Sequence, residues 1–153
     1  MNWPTPSVAR SPDDDTLVLD ALGAAMADAT RWLHARSAAQ AVPADAVTRL
    51  DQCLDEALAN IAAHGGSSAL PVTLNFTVNA IGSRCEAALV ISDHGAAFDP
   101  LAITPRPQAG SLEALQPGGL GITLMRHFAD RLHYRRAHPC NHLTVVVAWA
   151  ETA

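Results

Sequence analysis

From Val72 to Asn79 the chain alternates: Val72, Leu74, Phe76 and Val78 are apolar, while Thr73, Asn75, Thr77 and Asn79 are polar. A period of two is that of a strand with one buried face. Gly82-Ser83 supplies a turn into Cys85–Ser92, whose more continuous apolar run predicts a strand lying deeper in the sheet. Near the C-terminus, Leu132–Arg136 and His142–Ala150 read as a closing hairpin, with Leu143, Val145, Val147 and Trp149 sharing one face. Thr16–Ala21 is short and β-prone, and is expected to form a first strand.

Three segments carry helical spacing instead. Gly23–Ala41 is alanine-rich, places Met26, Trp32 and Leu33 at helical intervals, and ends before Pro43. A second helix is predicted from Pro43-Ala44-Asp45, where proline suits the first turn and an acid suits the positive end of the helix dipole. It runs to His64 and stops at Gly65-Gly66. The third, Leu120–Arg131, is opened by glycines. Before it, Asp93–Gly118 is irregular and holds Pro100, Pro105, Pro107, Gly110 and Pro117. So long a connection inside a compact domain is usually functional, often a lid. The order β-α-α-β-β-loop-α-β-β segregates helices from strands, which predicts an α+β two-layer sandwich with helices covering one face of a mixed sheet. One domain, 16–153, would follow a flexible tail, 1–15.

Composition narrows the partners. With 49% hydrophobic and 16% charged residues in 153, the chain can bury a core. Its formal charge of -5 and the lack of a Lys/Arg block argue against nucleic acid, though not against a nucleotide, whose charge a metal ion and backbone N–H groups can meet. Three cysteines without CxxC spacing suggest a reducing compartment. The first fifteen residues have no apolar core of a signal peptide, and no apolar run is long enough to cross a bilayer. A cytoplasmic location is therefore expected.

Three clusters could carry chemistry. On the second helix Gln52, Glu56, Asn60 and His64 recur every fourth residue as a polar stripe, opposite Leu50, Leu54, Leu58 and Ile61. Such a stripe is often only a solvated face. This one lacks Lys and Arg, and sets a carboxylate one turn from an amide oxygen, a hard ligand suited to Mg²⁺. At the end of an apolar strand stands Asp93-His94-Gly95-Ala96-Ala97-Phe98-Asp99-Pro100. Its carboxylate could accept from an exocyclic amine, although Asp and Gly are also ordinary turn residues. Pro117-Gly118-Gly119-Leu120-Gly121 opens a helix, where backbone N–H groups can approach phosphate. A dinucleotide-binding fingerprint fits poorly because the glycines follow a loop, and no Walker-A lysine is present. His133, His138, Cys140 and His142 are zinc-type ligands, but their spacing matches no standard structural site. Cys53 reads as a small buried apolar residue.

Taken in order, the clusters resemble the three nucleotide-binding boxes of the GHKL group of ATPases, which includes gyrase, histidine kinases and MutL. The likeness is nearest to its small bacterial branch, the anti-sigma-factor serine/threonine kinases. Glu56-Ala-Leu-Ala-Asn60-Ile-Ala-Ala-His64 looks like that branch's E-A-x-x-N-x-x-x-H, and Asp93-His94-Gly95 with Phe98-Asp99-Pro100 looks like its D-x-G-x-x-F-D-P. Gly118-Gly119-Leu120-Gly121-Ile122, Met125-Arg126 and Asn141-His142-Leu143-Thr144 match its glycine loop, following helix and last strand. The resemblance implies a Bergerat-type sandwich binding ATP and Mg²⁺. Asn60 would ligate the metal and Glu56 would serve as base or water-orienting residue. Asp93 would bind the adenine amine, with Thr144 supporting it through water, and Gly95 would let the base approach. Gly118, Gly119, Leu120 and Gly121 would form the loop that cradles the phosphates. The implied partners are a STAS-type anti-anti-sigma protein, phosphorylated on serine or threonine, and a sigma factor; a homodimer is also implied. The alternative is a nucleotide-dependent protein-binding module without phosphotransfer, favoured by a lid whose one cation is Arg106.

Overall fold

A computed structural model describes residues 15–23, 25–102 and 119–151. Strand β1 (Thr16–Leu19) leads through helices α1 (Ala25–Ala39) and α2 (Ala44–His64) to the hairpin β2 (Val72–Ile81) and β3 (Arg84–Asp93). Helix α3 (Gly119–Phe128) and the hairpin β4 (Arg131–Ala137) and β5 (Cys140–Ala150) complete the domain. The sheet order is β1-β2-β3-β5-β4. All four ladders are antiparallel, so the expected mixed sheet is corrected. For two of the four, β2–β3 and β4–β5, the physical reason is a tight hairpin connection, which can only join antiparallel strands. The two-layer α+β architecture is as the sequence predicted.

Helix α2 begins where proline and acid placed it. Pro43 takes an extended backbone as N-cap, and its carbonyl accepts from Val47 N at 3.0 Å. Asp45 lies in the positive first turn. Leu50, Leu54 and Leu58 are buried along one face, each contributing about 2 kcal/mol by removal from water. They meet the inward residues of the strands, Leu74, Phe76, Leu89, Ile91 and Val145, in a core joined by Leu33 of α1 and Ile122 and Met125 of α3.

Helix α3 is shorter than the predicted Leu120–Arg131. It ends at Phe128 because Asp130 is already drawn into the sheet: its N–H donates to Val146 O at 2.8 Å, and its carboxylate accepts from Ala148 N at 2.6 Å. A short 3-10 turn, Gly66–Ala69, follows α2 and carries no signal in the periodicity. No described helix is long and apolar enough to cross a membrane. Most of the predicted tail and lid, with Arg106, lie outside the described residues.

Candidate functional site

The C-terminal end of α2 passes over the ends of β3 and β5, and a cleft of about 490 Å³, open to solvent, lies between them. Helical spacing turns Ala57, Asn60, Ile61 and His64 toward it. The sheet floor supplies Ile91 and Asp93 from β3, Asn141 and Leu143 from β5, and Tyr134 from β4. The loop after β3 closes one side with Gly95, Ala96, Phe98 and Pro100. Apolar walls with a few convergent polar groups are the usual make-up of a small-molecule site.

Asp93 and Asn141 are register partners across the β3–β5 ladder, so their side chains share a face. Asn141 Nδ2 donates to Asp93 Oδ1 at 3.0 Å, to Gly95 O at 3.3 Å and to Ala96 O at 2.9 Å. Asn141 Oδ1 accepts from Tyr134 Oη at 2.5 Å and from Phe98 N at 3.4 Å. Gly95 N adds a second bond to Asp93 Oδ1 at 2.8 Å, and Arg136 Nη1 donates to Gly95 O at 2.7 Å. His94 points elsewhere: its N–H bonds Ala69 O at 2.8 Å, and its ring lies 2.9 Å from Pro71 O, pinning the loop to the turn after α2. Gly95 is packed so closely that a Cβ there would stand 3.0 Å from Asp93 Oδ1.

The structure brings Asn60, Asp93 and Gly95 together around the cleft. Glu56 is half-buried one turn before Asn60 but is not among the lining residues. Residues four apart advance by about 40° around a helix, so a stripe of every fourth residue drifts away from a fixed face. Thr144 is not brought to the site. It pairs with Val90, between Leu143 and Val145, which face the core; Thr144 therefore points to the opposite face of the sheet. Its supporting role is corrected on that ground. Asn141 and Leu143 occupy the inward positions instead, and Asn141 and Tyr134 are the lining residues that sequence reasoning missed. Gly119, Leu120 and Gly121 form the first turn of α3, while Gly118 lies outside the described residues.

Among the described residues no group hydrogen-bonds the Asn60 amide, and no cluster of three or more His, Cys, Asp and Glu could hold a metal. A free, hard oxygen donor on the cleft fits a Mg²⁺ whose shell is otherwise completed by water and phosphate. From the C-terminal histidine group, His142 is committed elsewhere, its Nδ1 2.7 Å from Ser92 Oγ. Cys53 lies on the buried face of α2, where burial pushes its thiol up to about 12, with Arg49 acting in the opposite sense and the Glu56 carboxylate in the same one. A thiol so protonated is no nucleophile.

Two comparisons bear on this arrangement. The sequence model of the histidine kinase-like ATPase domain matches residues 19–147. The serine/threonine-protein kinase BtrW of Bordetella bronchiseptica is 38% identical over 135 residues, which is 88% of this chain and 94% of that protein. The match takes in α2, β3 and β5 together, the three elements that meet at the cleft.

Proposed function

This chain belongs to the histidine kinase-like ATPase domain family, and on that premise we propose that it is a protein serine/threonine kinase that binds Mg-ATP in the cleft beside α2. The observation that carries the reading is the convergence of Asn60, Asp93 and Gly95, from a helix, a strand end and a loop, on one apolar-walled hollow. Adenine lies at the Asp93 end, where a carboxylate can accept from its amine. The triphosphate runs along α2 past Asn60 toward the first turn of α3, whose N-terminus favours negative charge. Asn60 would hold Mg²⁺, which would supply charge neutralisation on the phosphates. Glu56, one turn away, orients the attacking hydroxyl and accepts its proton.

The phosphoryl acceptor is a serine or threonine of a STAS-type anti-anti-sigma protein, and a sigma factor is the alternative occupant of the same protein surface. Kinase identity in the related BtrW supports the transfer, and the acidic charge of the chain is consistent with protein rather than nucleic-acid partners. The test is incubation with γ-labelled ATP and the STAS protein. Label should pass to the partner with wild type, be lost with Glu56→Ala while ATP still binds, and fall with Asn60→Ala because Mg-ATP binding weakens. Equal labelling by wild type and Glu56→Ala removes Glu56 from the mechanism. ATP binding with no labelled partner replaces the kinase with a nucleotide-dependent binding module.

A further inference from the structure

Asn141 is 5% exposed and spends both ends of its amide on the wall of the cleft. The orientation of that amide is set by its neighbours. Gly95 O and Ala96 O can only accept, so they require Nδ2; Phe98 N can only donate, so it requires Oδ1. The Tyr134 hydroxyl, 2.5 Å from the same Oδ1, therefore donates and holds the amide against rotation. With the amide fixed, Nδ2 reaches Asp93 Oδ1 at 3.0 Å, and Gly95 N reaches the same oxygen at 2.8 Å. Both protein donors fall on Oδ1. Among the described residues none hydrogen-bonds Oδ2, and Asp93 lines the cleft. The carboxylate is thus presented with one oxygen occupied by the protein and the other open as an acceptor.

We propose that Asn141, locked by Tyr134, is the positioning residue that aims Asp93 Oδ2 and thereby selects a purine bearing an amino group at position 6. A 6-amino group donates to that oxygen; a 6-oxo group presents a second acceptor and is rejected by the lone-pair clash and by loss of the donor to Oδ2. Without Asn141, Gly95 N remains as the single restraint on Oδ1 and the carboxylate can turn about its terminal torsion, which is broad and weakly restrained for Asp. Tyr134 acts one step further out, through the amide. This inference rests on the reading that the cleft holds ATP, and adds how the base is read.

The experiment compares ATP with purine riboside triphosphate, which lacks the 6-amino group, by calorimetric titration of the full chain in wild type, Asn141→Ala and Tyr134→Phe. Wild type should prefer ATP. Asn141→Ala should weaken ATP about tenfold more than it weakens the 6-unsubstituted nucleotide, the scale of one charge-assisted hydrogen bond. Tyr134→Phe, which removes one oxygen and is the milder change, should show the same pattern with a smaller loss. Retained binding of the unsubstituted nucleotide also certifies that the variants fold. Parallel weakening of both nucleotides in both variants would mean a merely structural hub and overturns the proposal, as does unchanged ATP affinity. Failure of wild type to bind either nucleotide overturns the reading of the cleft itself, and this inference with it.

Discussion

The imidazole of His64 stacks on the ring of Phe98, with centroids 4.1 Å apart and planes 22° from parallel. His64 is the last residue of α2 and Phe98 belongs to the loop after β3, so the pair fastens the helix end to the loop that carries Gly95. Both rings line the cleft. Stacked aromatic pairs contribute about 0.5–1.5 kcal/mol beyond the area they bury. In a double-mutant cycle of His64→Ala and Phe98→Ala, followed by urea denaturation, a coupling of about 1 kcal/mol is expected. Strictly additive losses would show that the two rings do not meet in solution.

At Gly95 the constraint is steric. A Cβ would stand 3.0 Å from Asp93 Oδ1, tighter than ordinary van der Waals contact, and that oxygen already takes two hydrogen bonds. In Gly95→Ala the carboxylate must move, and an acceptor displaced from its line to the ligand loses about one charge-assisted hydrogen bond. ATP affinity should fall by about tenfold. The thermal midpoint should move by only a few degrees, the scale of about 1 kcal/mol in a domain of this size. Titration and a melting curve on the same preparation check both, and unimpaired ATP binding would mean that Asp93 does not need its present place.

Much of this was legible in the residues. The alternation from Val72 to Asn79 gave β2, Pro43 and Gly65-Gly66 bracketed α2, and the leucines of α2 gave its buried side. Besides the strand directions, two expectations differ from the structure. The parity that put Leu143, Val145 and Val147 inward already placed Thr144 outward, and pointed two residues back to Asn141; motif likeness outweighed strand geometry there. The predicted α3 exceeds the observed one because helical periodicity continues through Asp130 and Arg131, whereas the sheet captures both: Arg131 forms paired bonds to Glu86 at 2.7 and 2.8 Å. Tyr134 carried no signal at all in one dimension, since its partner lies across a hairpin.

Arg49 ties three elements together. Its Nη1 donates to Asp130 Oδ2 at 3.2 Å and to Phe128 O at 3.5 Å, and its Nη2 donates to Ala148 O at 3.0 Å, joining α2 to the end of α3 and to β5. Arg49→Met keeps the apolar stem but removes the donors to two carbonyls and leaves the Asp130 carboxylate with Ala148 N as its remaining donor. Because the guanidinium is partly exposed, the cost should be about 1–2 kcal/mol rather than that of a fully buried pair. The urea midpoint should fall at an unchanged slope, since no new surface is exposed in the folded state. Asp130→Asn keeps an acceptor for Ala148 N and should lose less. A larger loss in Asp130→Asn would place the weight on the carboxylate charge instead of the arginine.

The buried Cys53 thiol sets an alkaline limit on the fold. Its ordinary value is 9.0, and burial, the largest cause, pushes it up to about 12 in the folded chain. Between those values the unfolded chain loses its thiol proton while the folded chain keeps it, so the folded state binds more protons and stability falls as pH rises. The contribution is fully present below pH 9.0 and disappears as the folded thiol titrates near 12. Urea midpoints measured from pH 8 upward should therefore decline less steeply in Cys53→Ala than in wild type, even where the alanine costs stability at neutral pH through the small cavity it leaves. Labelling gives an independent reading of the same burial. At neutral pH an aromatic disulfide reagent should modify the half-exposed Cys140 of native protein and leave Cys53 untouched until urea opens the core. Identical alkaline slopes in the two proteins, or prompt labelling of native Cys53, would mean that water reaches the thiol on the buried face of α2.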